Sequence, residues 1–269
     1  MEIGVGLPNT TPGTTGALLT EWARRADAGP FGSLAVLDRL VYDSLEPFAA
    51  LSAVAAVTDR IQLATMIAIG PLRPAALLAK QAEAVHRLAD GRFTLGLGIG
   101  ARHDDYTAAG ADHSRRGALL SEQLAHLRGS DYPGEILVGG NSGPAFARMA
   151  RYADGYAHGG GPPRAFASAA TKAQAAWRDL GRPGTPRLWA QGYFALGDDD
   201  TVQAGRDYLR DYYAFTGPFA ETIASANLTT GRAIKDFVRG YAAEGCEMLV
   251  LLPTVSDVGQ IDRLAEVIG

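Results

Sequence analysis

Short apolar runs rich in β-branched residues alternate with longer stretches of helical spacing from one end of the chain to the other. Ile3 to Leu7 predicts a first strand, closed by Pro8-Asn9. Leu18, Trp22 and Ala26 then recur every four residues, marking one face of a helix that stops at Gly29-Pro30. Ser33 to Leu37 predicts a second strand, with a helix through Pro47 to Val57 behind it. Ile61 to Ile69 is apolar almost throughout, the pattern of a parallel strand buried on both faces. Pro74 to Leu88 is helical, with Leu77, Leu78, Gln81, Val85 and Leu88 spaced for one buried side. Arg92 to Ile99 is the fourth strand, and Arg115 to Arg128 the next helix. Glu135 to Val138, a helix over Ala145 to Tyr152, and a short sixth strand over Gly155 to His158 follow. A helix reaching Leu180 and a seventh strand, Arg187 to Leu196, come after Gly159-Gly160-Gly161-Pro162-Pro163. Helical segments broken near Gly217-Pro218 lead to another amphipathic face at Ile234, Phe237, Val238 and Tyr241. Met248 to Leu252 is the eighth strand and Val258 to Ile268 the last helix.

Eight strands, each followed by a helix, predict an α/β fold of the closed (β/α)8 TIM-barrel kind rather than an open doubly wound sheet. Right-handed crossovers would put every helix outside. Gly129 to Gly134 and Gly181 to Pro186 are turns of ordinary loop length, so one domain over 1–269 is expected. A composition of 47% hydrophobic and 20% charged residues lets such a chain bury a large core without staples. The net charge of −4 supplies no broad basic field, which argues against nucleic acid or an anionic membrane as partner. No apolar run is long enough to span a bilayer. The first residues lack the basic region and apolar stretch of a signal peptide. One cysteine, Cys246, permits no internal disulfide and fits a reducing cytoplasm, the expected location. Opening the last strand, it reads as a small buried hydrophobe. No Cys/His cluster has metal-ligand spacing, so no metal is expected, and no GxSxG elbow suggests a serine hydrolase.

Leu51 to Gly100 reads LSAVAAVTDRIQLATMIAIGPLRPAALLAKQAEAVHRLADGRFTLGLGIG. This stretch resembles the signature of the luciferase-like monooxygenases, the barrel family of bacterial luciferase and of enzymes using the deazaflavin coenzyme F420. The likeness continues in ILVGG at Ile136 to Gly140 and ARYADGY at Ala150 to Tyr156, and so extends along the whole chain. Two departures stand out. The stretch between His126 and Glu135 is shorter than in most relatives, which implies a reduced pocket wall there. The second strand ends Leu37-Asp38-Arg39, where many deazaflavin-dependent relatives have Asp-His. Asp38 matches and Arg39 does not.

Chemistry in a barrel sits at the C-terminal ends of the strands. Asp38 is placed to orient a flavin's polar edge or a substrate proton, or else to cap a helix or pair with Arg39. The family position at Thr65-Met66-Ile67 carries a non-proline cis peptide backing the flavin ring, which the resemblance assigns to Met66–Ile67. An ordinary core strand would use the same residues. Gly96, Gly98 and Gly100 alternate within a strand instead of opening a helix, which argues against a dinucleotide loop and for room in the barrel interior. Ala101-Arg102-His103-Asp104-Asp105-Tyr106 reads as a polar loop in which His103 could act as acid or base. Gly139-Gly140-Asn141-Ser142 precedes a helix, an arrangement suited to a cofactor phosphate. Asp154-Gly155 shapes a turn, and His158 faces either cofactor or core. Trp189, Tyr193 and Phe194 suit an aromatic cavity or core packing alike.

The resemblance implies a two-component monooxygenase: reduced FMN in the barrel mouth, oxygen as co-substrate, a small organic substrate, a separate flavin reductase as partner, and a homodimer. In that reading Asp38, Arg39 and His103 are the catalytic candidates. Thr65, Met66, Ile67, Gly98, Gly139, Gly140, Asn141, Ser142 and His158 would contact the cofactor. A second enzyme reading uses coenzyme F420 for hydride transfer without oxygen. A third, of another class, is a flavin-binding protein without turnover.

Overall fold

The computed structural model describes residues 1–269. Its strands are β1 (Glu2–Gly6), β2 (Ser33–Val36), β3 (Gln62–Thr65), β4 (Ala68–Ile69), β5 (Phe93–Gly98), β6 (Glu135–Gly139), β7 (Gly155–His158), β8 (Arg187–Phe194) and β9 (Met248–Pro253). Neighbours pair in the order β3-β2-β1-β9-β8-β7-β6-β5-β4, all parallel, and β3 also pairs with β5, which closes the ring. The third barrel strand is thus interrupted: β3 and β4 are its halves, separated by Met66 and Ile67, whose peptide bond is cis. The expected eight-stranded barrel is present. The unbroken strand expected over 61–69 is not, because the bulge takes two residues out of the ladder.

Helices fill the crossovers: α1 (Gly16–Ala28), α2 (Pro47–Ala55), α3 (Ala75–Leu88), α4 (His103–Ala109), α5 (Arg116–Gly129), α6 (Gly143–Tyr152), α7 (Pro163–Asp179), α8 (Asp199–Tyr212), α9 (Phe219–Ser225), α10 (Gly231–Ala243) and α11 (Gly259–Ile268). Their starts are chemically marked. Thr15, Ser142, Asp198 and Thr230 each accept a hydrogen bond from an orphan first-turn amide, and Glu46 does the same ahead of Pro47. Two helical regions differ from the pattern reading. Leu77 and Leu88 are about half exposed, and α3 buries Leu78, Ala82 and Val85 instead. A helix packed on a cylinder buries a narrower stripe than the apolar residues alone suggest. The polar stretch expected as a loop over 101–106 is helical from His103 onward, with Asp104 and Asp105 in the favourable first turn of α4.

Alternation along each strand divides the core in two. One cluster, including Leu34, Val36, Leu95, Ile136, Val138, Leu249 and Leu251, joins the outer strand faces to the helices. The other fills the barrel itself: Ala35, Leu37, Ala64, Met66, Leu137, Ala157, Trp189, Met248, Val250 and Leu252. The N-terminal end is closed by polar pairs: Gln62 Nε2 donates to Thr94 Oγ1 at 2.6 Å, Thr94 Oγ1 to Glu135 at 3.0 Å, and Arg187 Nη1 lies 3.0 Å from Glu135. Cys246 is buried, and burial pushes its thiol up to about 12.

Room inside is set by β5. A Cβ on Gly96 would lie 2.1 Å from the carbonyl oxygen of Thr65, and one on Gly98 would lie 1.8 Å from Cδ1 of Ile67. The expected space is therefore real but occupied: the bulge of the third strand fills it. Gly100 lies beyond the strand, with φ +62. Gly96→Ala is expected to lower the unfolding free energy by about 1–3 kcal/mol or more, since backbone must move to admit the methyl. Gly129→Ala, whose methyl meets nothing within 4 Å, should cost nothing. Urea unfolding of the two variants checks this, and equal midpoints would remove the packing argument.

Candidate functional site

At the C-terminal end of β2, Leu37 points into the barrel and Asp38, by alternation, points out. Asp38 is 5% exposed and accepts from the Ile69 amide at 2.8 Å. Arg73 holds it in a two-point grip, Nη1 to Oδ2 at 2.6 Å and Nη2 to Oδ1 at 3.2 Å, and reaches Glu46 at 2.9 Å. A pairing with Arg39 was one alternative for Asp38; its partner is Arg73 instead. Burial raises the Asp38 carboxyl above the ordinary carboxylate range, with Arg73 and the Ile69 amide pulling the other way. This carboxylate ties β2 to the turn after β4 and is not free at the mouth.

Arg39 turns the opposite way, into a buried pair with Asp105 of α4. Its Nε donates to Asp105 Oδ2 at 2.8 Å, and its Nη2 lies 3.6 Å from Asp104. Asp105 also accepts from the amides of Leu40 at 3.0 Å and Val41 at 2.9 Å, so one carboxylate fixes the whole turn after β2. The guanidinium sits over the rings of Tyr42 and Tyr212, 5.1 and 5.3 Å from their centroids. Its Nη1 is buried without a partner. His103 does not join this group. It is exposed at the start of α4, its ring 3.7 Å from that of His113.

The mouth itself is built from the third strand and its neighbours. Thr65 is withdrawn, its hydroxyl donating to the Gly96 carbonyl at 2.7 Å, and Met66 is packed inside. Ile67, half-buried, lies across Gly98 and within 3.5 Å of where a Cβ on Gly139 would stand. Of the expected ring contacts, Ile67, Gly98 and Gly139 are therefore brought together. Gly140 takes φ +126, and a Cβ there would strike Ala145 at 2.9 Å, so the chain can enter α6 only with glycine at this place. The Ser142 hydroxyl caps α6, while the Asn141 and Ser142 amides donate to no protein acceptor. Two free amides at an exposed helix start suit a phosphate.

His158 is on the wrong side for the cofactor contact expected of it. Its ring packs among Tyr156, Phe166 of α7 and Tyr241 of α10, outside the barrel wall. Burial lowers its pKa, opposed in part by the Gly160 backbone, and its Nε2 has no partner.

What the sequence reading missed is a tyrosine cap. Tyr208 and Tyr212 of α8, Tyr213 after it, and Tyr42 pack over the interior cluster beside Tyr193 of β8. Tyr208 bonds Thr10 at 2.8 Å, Tyr42 donates to Asp211 at 2.6 Å, and Tyr193 and Tyr213 share a bond of 2.6 Å. Positions 208 and 212 have the i, i+4 spacing of one helical face, a signal that was available. The turn between α5 and β6 is short, as the reduced stretch after His126 implied.

Residues 1–130 match the family described as luciferase-like monooxygenase, so the resemblance read from Leu51 to Gly100 is borne out over this span. An uncharacterized protein of Mycobacterium tuberculosis (strain ATCC 25618 / H37Rv) is 30% identical over 187 residues, 52% of this chain and 65% of the relative, so the match spans less than two thirds of that protein. Pyrimidine monooxygenase RutA of Stutzerimonas stutzeri (strain A1501) is 28% identical over 265 residues, covering 84% of this chain and 72% of that protein. The structure of an F420-dependent secondary alcohol dehydrogenase, in complex with an F420-acetone adduct, superposes with a TM-score of 0.85 over 99% of this chain and 97% of the other at 16% identity, which bears out the fold. No helix is long and apolar enough to cross a membrane.

Two outcomes follow from the geometry. Asp105→Ala leaves the Arg39 charge buried beside two unbonded amides and should destabilise by about 3–5 kcal/mol in urea unfolding; a loss below about 1 kcal/mol would show that the turn is held otherwise. His158 acts through protons. The unfolded chain takes one up near pH 6.5 that the folded chain refuses until lower pH, so this group's stabilisation is present above about pH 6.5 and lost as pH falls. His158→Gln should flatten the fall in unfolding midpoint between pH 7 and 5, and parallel slopes would contradict a buried neutral imidazole.

Proposed function

We propose that this chain is a flavin-type oxidoreductase that uses a deazaflavin of the F420 kind to exchange hydride with a small carbonyl or alcohol substrate at the barrel mouth. The observation that carries the reading is the glycine-bare floor at Gly98 and Gly139 crossed by Ile67: a flat apolar surface at the C-terminal end of a barrel, where a planar ring system can lie. The fit extends to the phosphate, for which the unbonded Asn141 and Ser142 amides at the start of α6 are free donors. Ile67, Gly98 and Gly139 would hold the ring, and Gly140 lets the backbone turn towards the phosphate. When bound, the cofactor supplies or accepts the hydride; the chain orients the two reactants and keeps water from them.

The TM-score of 0.85 with the F420-dependent alcohol dehydrogenase, against 0.77 for monooxygenase RslO1 at the same coverage, leans towards deazaflavin. The closed barrel, with every strand in place, supports turnover over mere flavin storage. A monooxygenase using reduced FMN and oxygen is the second reading, favoured by likeness to pyrimidine monooxygenase RutA along most of the chain. That reading brings with it a separate flavin reductase. Asp38 and Arg39 act in both as frame rather than as acid or base, Asp38 through Arg73 and Arg39 through Asp105.

Anaerobic titration with reduced deazaflavin and, in parallel, reduced FMN tests the choice. Micromolar binding of the deazaflavin, stable when oxygen is admitted, is expected. Gly139→Val should weaken it by about tenfold or more, equivalent to 1.4 kcal/mol, with circular dichroism unchanged. Binding of FMN alone would move the assignment to the monooxygenase, and binding of neither would sink both.

A further inference from the structure

Tyr193 stands at the end of the inward face of β8, and its hydroxyl lies 2.6 Å from that of Tyr213, the first residue after α8. The rings meet edge to face with centroids 6.0 Å apart. Each phenol carries one proton, and the shared bond uses only one of the two. Neither hydroxyl has another protein partner, so one O–H donor is left over. Both residues are half-buried, whereas Trp189 and Phe194 on the same strand are fully buried. Both pack, as Ile67 does, against the cluster that fills the barrel. Two other phenols of the cap are committed by hydrogen bonds, while Tyr212 lies with its ring under Arg39. Tyr42 gives its proton to the Asp211 carboxylate, and Tyr208 is buried against Thr10.

Burial raises the pKa of both phenols. Neighbouring tyrosines push Tyr193 further up, while the Tyr193 hydroxyl and the Arg39 charge pull Tyr213 back. Either hydroxyl can donate in the shared bond; with Tyr193 donating, the free O–H is that of Tyr213, the phenol that feels the Arg39 charge. The Arg39 Nε is already committed to Asp105.

We propose that Tyr213 is the proton donor to a carbonyl substrate at the barrel mouth, with Tyr193 as the positioning residue that holds it, in place of the histidine that Arg39 displaces. The inference rests on the hydride-transfer reading above. In the step, the substrate C=O π bond breaks. The carbon takes a hydride from the reduced deazaflavin, which is oxidised, and the oxygen takes the Tyr213 proton. The phenolate left behind accepts the Tyr193 O–H in the field of Arg39 and regains a proton from water. In the alcohol-oxidising direction every transfer reverses. Phe215, 46% exposed and stacked on Tyr213 at 6.3 Å, gives the substrate an apolar flank, so ketones and aldehydes bearing an apolar group are the class expected.

The test uses the full chain loaded with oxidised deazaflavin, to prevent turnover, and acetophenone labelled at its carbonyl carbon as probe. Infrared difference spectroscopy should show the bound C=O band displaced to lower frequency. Tyr213→Phe should abolish the displacement, and Tyr193→Phe should reduce it. In turnover, Tyr213→Phe should slow ketone reduction by about 10²–10⁴-fold, the range for a general acid. Tyr193→Phe should move the alkaline limb of the pH profile with a smaller loss. A displaced band that survives Tyr213→Phe, or no displaced band in the wild type although deazaflavin binds, would overturn the proposal while leaving the cofactor assignment standing. Failure of the deazaflavin to bind would overturn that assignment; a displacement lost in Tyr213→Phe of the cofactor-free chain would still identify the donor.

Discussion

The barrel depends on a steric exchange between two neighbouring strands. Between β3 and β4 the chain leaves the ladder and thrusts the Thr65 carbonyl and the Ile67 side chain inward, and β5 meets them with no side chain at 96 or 98. With any larger residue there, the two strands could not keep the pairings Leu63 to Phe93 and Ala68 to Leu97 at once. Interiors are packed too closely to absorb such an addition elsewhere. The same exchange lays the Ile67 side chain across one sector of the mouth, over Gly98 and beside Gly139. Packing requirement and candidate ring platform are therefore one feature, and the fold would need the glycines even if nothing bound there.

Beside this platform, at the end of the neighbouring β2, the mouth is organised by charge. Two arginine–carboxylate pairs, Asp38 with Arg73 and Asp105 with Arg39, leave the end of β2 in opposite directions. Buried pairs contribute little net stability, because desolvating both charges offsets most of their attraction. Their effect is geometric: Asp38 joins β2 to β4, and Asp105 joins the following turn to α4 through three donors. With the turn fixed, Arg39 is presented as a flat cation to Tyr42 and Tyr212, and an aromatic cap can settle over the barrel.

Strand order and number were legible because a barrel strand buried on both faces leaves an apolar run that little else produces. The start of α6 was legible because Gly139-Gly140-Asn141-Ser142 combines free backbone with a cap. Pairings between distant segments were not. Nothing local says that Asp38 takes Arg73, thirty-five residues on, in preference to the adjacent Arg39. Alternation does place Asp38 and Leu37 on opposite sides, and the same counting would have turned His158 outward with Tyr156. The polar composition of 101–106 concealed α4, since its first-turn acids serve the helix and the Arg39 pair together.

The proposed donor pair turns on which residue follows Asp38. A histidine after Asp38 could titrate; an arginine there carries a fixed charge and, with Asp105 behind it, a fixed position. A permanent cation makes a poor acid but a good neighbour for one, because it stabilises the anion that a neutral donor leaves behind. Tyrosine is the donor that gains most, since its ordinary pKa lies far above neutrality and burial drives it higher still. The cap supplies such a phenol with a second to hold it, on elements that the Arg39 stack itself helps to seat. The departure at position 39 and the aromatic crowding of α8 are thus two parts of one arrangement, in which charge stays at the rim and the mobile proton moves to the barrel mouth.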